Sequence, residues 1–156
     1  MDKKDKKLLI LLQENGRESL KTLGDKIGLS IDSTKKRIEK LKKLGIISKF
    51  GVCIDPKAMG YDIVANNKIK LTNVKKEERE HFINYLVNHP NCIELISVSG
   101  DYDWTCVLIA ENTTSFNDLV YEIREKFTEI ISDWNTSFNL KVYKFEEYNL
   151  SNMALD

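Results

Sequence analysis

Only Gly28 and Leu29 separate two helical patterns in the first fifty residues, and so short a break leaves few ways to pack them. Ser19 is placed to cap a helix carrying Leu20, Leu23 and Ile27, which Gly28 closes. Ser30 caps the next helix, which aligns Ile38, Leu41 and Leu44 and stops at Gly45. An earlier helix runs from Asp2, its cap, to Glu14; it carries Leu8, Leu9 and Leu12 and ends at Asn15-Gly16. Two short helices joined by a Gly-containing turn form a helix-turn-helix, here with a further helix to complete the core. The run from Ile46 to Ile54 is β-branched and aromatic around Gly51, which predicts a strand and wing.

At about 100° per residue the helix after Ser30 turns Thr34, Ile38 and Leu41 inward. Its opposite side carries Ser33, Lys36, Lys40 and Lys43, flanked by Asp32, Lys35 and Arg37. In a helix-turn-helix this is the helix that enters the major groove, N-terminal half first. Ser33 and Lys36 are therefore placed for base edges, and Lys35, Arg37 and Lys40 for phosphates of double-stranded DNA.

The formal net charge is zero, but it is unevenly distributed. Residues 1–50 hold 14 Lys/Arg against 7 Asp/Glu, and the remainder 10 against 17. A basic head on an acidic body suits a polyanion partner. Composition is that of a globular protein, with 42% hydrophobic and 31% charged residues. No run approaches the roughly 18–20 apolar residues of a membrane span, and the N-terminus lacks the pattern of a targeting peptide. No membrane partner and a cytoplasmic location are expected.

Asp55-Pro56-Lys57-Ala58-Met59-Gly60 marks a boundary. It divides the chain into a winged helix-turn-helix over 1–54, a linker over 55–60 and a second domain over 61–156. In the second domain Ile63, Ala65, Ile69 and Leu71 alternate as in a half-buried strand. A helix over Lys75–Asn88 buries Phe82 and Leu86. Strands over Cys92–Ser99 and Trp104–Ala110 flank Gly100-Asp101-Tyr102-Asp103. A helix from Thr114 aligns Phe116, Leu119, Val120, Ile123, Phe127 and Ile130, and a last strand spans Trp134–Phe145. The order βαββαβ is the ferredoxin-like α+β arrangement, an antiparallel sheet with both helices on one face. Its other face should be hidden by a partner, and self-association is the economical solution.

Catalytic and metal chemistry find little support. Asp101 and Asp103 lie in a turn, where Gly and Asp serve the backbone. His81 and His89 have no nucleophile or ligand at a useful spacing. Cys53, Cys92 and Cys106 lack CxxC spacing and are expected to be buried small hydrophobes. No metal and no cofactor are expected.

Over essentially its whole length the chain closely resembles the Lrp/AsnC family, the feast/famine regulators. The matching residues include Asp2 and Asp5, Leu12-Gln13, Gly16-Arg17, Gly28-Leu29-Ser30, Arg37-Ile38, Leu41 and Gly45-Ile46-Ile47. The Asp55 to Gly60 connector and Val98-Ser99-Gly100-Asp101-Tyr102-Asp103 also match. The resemblance implies a DNA-binding transcription regulator, not an enzyme, that forms a homodimer through its sheets and assembles further into octamers. It also implies an amino acid or related metabolite bound between subunits. The loop Gly100, Asp101, Tyr102 and Asp103 would line that site, together with Thr136 of the last strand. Trp134 stands where many relatives carry a small polar residue, and Trp104 is bulkier than some counterparts; both would narrow the pocket. The alternative on the same fold is a tetrapyrrole enzyme similar to the sirohaem decarboxylases.

Overall fold

The structure, a computed structural model, describes residues 1–150. It divides into two compact units. One holds Met1–Cys53 with the segment from Tyr143, and the other holds Ile54–Val142. The break before Ile54 lies beside the expected linker, but the segment from Tyr143 groups with the first unit instead of the sheet.

In the first unit α1 spans Lys3–Glu14, α2 Leu20–Ile27 and α3 Ile31–Lys43. Asp2 caps α1 by accepting the backbone N–H groups of Lys4 and Asp5, at 2.9 and 2.8 Å, and Asp5 returns the bond to the Asp2 N–H at 3.1 Å. Ser19 and Ser30 cap α2 and α3. Leu8, Leu23, Ile27, Ile38 and Leu41 form the core. Two bonds join α1 to the C-terminal segment. The Gln13 side-chain oxygen accepts the Tyr148 N–H at 2.9 Å, and its amide donates to the Tyr148 carbonyl at 3.1 Å.

The expected strand and wing over Ile46–Ile54 does not form: no strand is present there, and Phe50, Val52 and Ile54 are exposed. A strand requires a neighbour to complete its hydrogen bonds, and β-propensity alone supplies none. Cys53, expected to be buried, is exposed for the same reason, whereas Cys92 is half-buried and Cys106 buried.

The second unit follows the order β1 (Ile63–Leu71), α4 (Lys76–Val87), β2 (Cys92–Ser97), β3 (Trp104–Ala110), α5 (Thr113–Lys126) and β4 (Ile131–Phe138). The sheet order is β2-β3-β1-β4 with every pair antiparallel, as the ferredoxin-like reading requires. The last strand runs from Ile131 to Phe138, shorter than expected at its far end and longer at its start. Ala65, Ile69, Leu71, Cys106 and Leu108 pack with Phe82, Leu86, Phe116, Leu119 and Ile123 into the helix-side core. The pleat sends Val64, Asn66, Lys68 and Lys70 to the opposite face, beside Thr105, Val107 and Ile109. Ile93 and Ile96 of β2 are exposed. Among the described residues no helix is long and apolar enough to cross a membrane.

Candidate nucleic-acid interface and effector loop

The position of α3 depends on a close approach in the turn before it. Gly24 lies inside α2, where glycine ordinarily weakens a helix. A Cβ at this position would lie 2.6 Å from the Leu29 carbonyl oxygen and 3.1 Å from Thr34 Oγ1. Thr34 is buried and donates its hydroxyl to the Ser30 carbonyl at 2.9 Å. With Ile38 and Leu41 it forms the inward face of α3.

The outward face is an open groove lined by Asp32, Lys35, Lys36, Glu39, Lys40 and Lys43. It gathers Lys36, Lys40 and Lys43 on one side, and it also takes in Asp32 and Lys35, both expected on its flanks. Glu39 is paired to Lys42 at 3.3 Å. The four lysines leave this face positive, and none of them forms a salt bridge among the described residues.

Two expected contact residues are engaged elsewhere. Arg37 is turned towards α1: its Nη1 lies 2.6 Å from both Asp2 Oδ2 and Asp5 Oδ1. Asp5 is 1% exposed, so this guanidinium neutralises a buried carboxylate. Its own pKa is raised, first by the bond to Asp2 and then by that to Asp5. The structure therefore makes Arg37 a tie between helices instead of a phosphate contact. Ser33 is half-buried at the cap, where its Oγ accepts from the Ser30 hydroxyl at 3.0 Å. Gly24, Asp2 and Asp5 escaped the site reading because their roles lie in contacts between helices.

In the second unit the loop Gly100–Asp103 joins β2 to β3. Gly100 has φ +129°, a conformation that side chains other than hydrogen rarely tolerate. Asp103 anchors the loop to β1. Its carboxylate accepts the Leu71 N–H at 2.7 Å, and its own N–H donates to the Ile69 carbonyl at 3.0 Å. Tyr102 donates its hydroxyl to Asp133 Oδ2 at 3.0 Å, which raises the pKa of the phenol, and the Lys68 ammonium sits 5.9 Å from its ring centre. Asp101 remains exposed at the tip.

Thr136 is not brought to this loop. It pairs with Asn67 in register and faces the helices, whereas the Tyr102 partners Lys68 and Asp133 belong to the other face. The Thr136 hydroxyl donates to Asn67 Oδ1 at 2.8 Å, and the Trp134 indole N–H lies 3.0 Å from Thr136 Oγ1 and 3.1 Å from Asn67 Oδ1. Asn67 Nδ2 in turn donates to the Ala65 carbonyl at 3.1 Å. Asn67 occupies an inward position of the β1 alternation, and that polar residue among apolar ones was the available signal for this network. Trp134 packs against the helix-side core.

Comparison with known proteins agrees with both units. The AsnC-type helix-turn-helix domain matches residues 1–42, and the Lrp/AsnC ligand binding domain matches residues 65–148. The HTH-type transcriptional regulator FL11 of Pyrococcus furiosus is 30% identical, over 92% of this chain and 92% of its own. The leucine-responsive regulatory protein of Rhizobium meliloti is 31% identical, with 78% of each chain covered. A transcriptional regulator of Neisseria meningitidis, solved as a complex with L-Met, shares the fold with a TM-score of 0.84 at 24% identity, covering 93% of both chains. With both domains matched in order and along the chain, this protein belongs to the Lrp/AsnC family of transcription regulators.

Proposed function

We propose that the chain binds double-stranded DNA with sequence preference through the outward face of α3, with Lys35, Lys36 and Lys40 at the interface, and acts in the cytoplasm as a regulator without enzymatic activity. The observation that carries this reading is the gathering of four lysines on the solvent face of a helix fixed by a helix-turn-helix packing. Such a face neutralises phosphates and releases counterions, which makes affinity fall with salt. Ser33 contributes at the base edges through its hydroxyl hydrogen.

The working unit is a homodimer, with octamers as a higher form. Exposed Ile93, Ile96 and Val98 on and beside β2 give an apolar surface that a second copy would cover. An amino acid binds where copies meet, at the loop Gly100–Asp103, with Asp101 facing its ammonium group. The L-Met complex of the Neisseria relative and the ligand-binding character of the matched domain support that choice. Tyr102 and Asp103 shape the loop, and Thr136 acts from the helix side by setting Trp134.

The test is fluorescence anisotropy on a mixed DNA pool at several salt concentrations. Removing one lysine that neutralises a phosphate should flatten the slope of log K against log salt by about 0.9. A Lys35→Ala/Lys36→Ala/Lys40→Ala variant that binds with the wild-type slope and affinity would show that this face is not the reader.

A further inference from the structure

The groove on α3 is lined by two acidic side chains, Asp32 and Glu39; Glu39 is paired to Lys42, and the phosphate-binding reading does not use Asp32. Asp32 is exposed, lies in the first turn of α3 and lines the groove with Lys35, Lys36 and Lys40. Capping is done by Ser30, so the Asp32 carboxylate is not needed to hold the helix start. Lys35 and Lys36 follow it at i+3 and i+4, the spacings at which helix ion pairs form. No salt bridge to Asp32 forms among the described residues, although Lys42–Glu39 in the same helix does. The carboxylate is thus presented outward, at the N-terminal end from which a recognition helix contacts base edges.

Among phosphates such a group is repelled, so its place on the DNA-facing side has to be matched by a hydrogen-bond donor. In the major groove the donors are the cytosine N4 and adenine N6 amino groups. Adenine sets its N7 acceptor beside that amino group, and N7 repels a second carboxylate oxygen. Cytosine presents no acceptor there. We infer that Asp32 is a specificity-determining residue that selects cytosine at one position of each half-site and disfavours guanine, whose O6 and N7 are both acceptors. The inference rests on α3 being the DNA reader.

The chemistry gives a test with a change of identity instead of a simple loss. Asn is close to Asp in shape, is uncharged, and pairs with adenine N6 and N7. Random-oligonucleotide selection with the full chain should therefore yield a wild-type motif with a fixed cytosine in each half-site. Asp32→Asn should move that one position to adenine, and Asp32→Ala should leave it degenerate. In competition binding, replacing the cytosine by guanine should weaken the wild type by at least about tenfold and the Ala variant by much less. Thermal melts of all three should lie close together, because Asp32 is exposed and its side chain makes no internal bond among the described residues. Only the small loss that removing a first-turn carboxylate from the helix dipole brings should separate them. Identical motifs for wild type and both variants, with uniformly tighter binding once the charge is gone, would overturn the inference and leave α3 as the reader. A wild-type chain that selects no motif would overturn the reader assignment as well.

Discussion

Arg37 Nη1 lies 2.6 Å from Asp5 Oδ1, and that contact joins α3, with its outward row of lysines, to the first helix of the chain. Because Asp5 is buried, removing the arginine strands a carboxylate out of water. Arg37→Ala should cost roughly 3 kcal/mol in denaturant unfolding, near the lower end for breaking such a pair. DNA affinity should fall with the folded fraction, while the salt slope of the folded protein stays at the wild-type value. A reduced slope would instead identify Arg37 as a phosphate contact.

Asp2 supplies a pH signature of the same junction. Its carboxyl is held below the ordinary 3.8, first by the Asp5 backbone N–H and then by the Arg37 guanidinium. A depressed folded-state pKa adds stability that is fully present above the unfolded value and is lost as pH falls through the folded one. Thermal melts should show this contribution intact at neutral pH and declining below about pH 4. In Asp2→Asn that part of the acid decline should be missing, and an unchanged acid limb would count against the arrangement.

Gly24 sets helix propensity against space. Replacing glycine by alanine in a helix ordinarily gains roughly 0.5–1 kcal/mol. Here the new methyl would meet backbone at 2.6 Å, so α2 or the turn must shift. Gly24→Ala is expected to destabilise by about 1–3 kcal/mol net, read from the melting temperature. A stabilised variant would mean the turn gives way freely.

The Asn67 network links two strands through one buried acceptor. Asn67→Leu removes that acceptor from both the Thr136 hydroxyl and the Trp134 indole N–H. Losing a buried acceptor costs about 1–3 kcal/mol, despite the added apolar volume. Indole fluorescence should shift as Trp134 changes partner, and a stable variant with an unaltered spectrum would deny the network a structural role.

The two loop carboxylates should separate cleanly. Asp103→Ala frees the Leu71 N–H and should lower the melting temperature. Asp101→Asn leaves every bond that holds the loop in place, so stability should be wild-type. Calorimetric titration with the twenty amino acids should find one that binds the wild type and binds Asp101→Asn more weakly. Equal affinity for both would remove Asp101 from the proposed ammonium contact.

The local features were legible because their signals repeat within a few residues. Ser19, Ser30 and Asp2 sit where a cap must sit, and apolar side chains recur at the helical spacing of α1 to α3. The twofold alternation through Ile63, Ala65, Ile69 and Leu71 marked the inward face of β1 in the same way. The position of Asn67 in that alternation was equally visible, but its partners on β4 were not.

Residue order alone therefore settles most of the elements, their succession and inward faces, and the basic character of α3. Folding in three dimensions was needed to turn Arg37 from the lysines of α3 to Asp2 and Asp5, more than thirty positions away in the chain. It also placed Thr136 and Tyr102 with partners on opposite faces of one sheet, and left Ile46–Ile54 without a strand neighbour. Caps and periodicities are interactions between residues close in sequence, so they can be read along the chain. Charge pairing, sheet register and strand completion depend on which distant backbone lies alongside, and that is settled by packing.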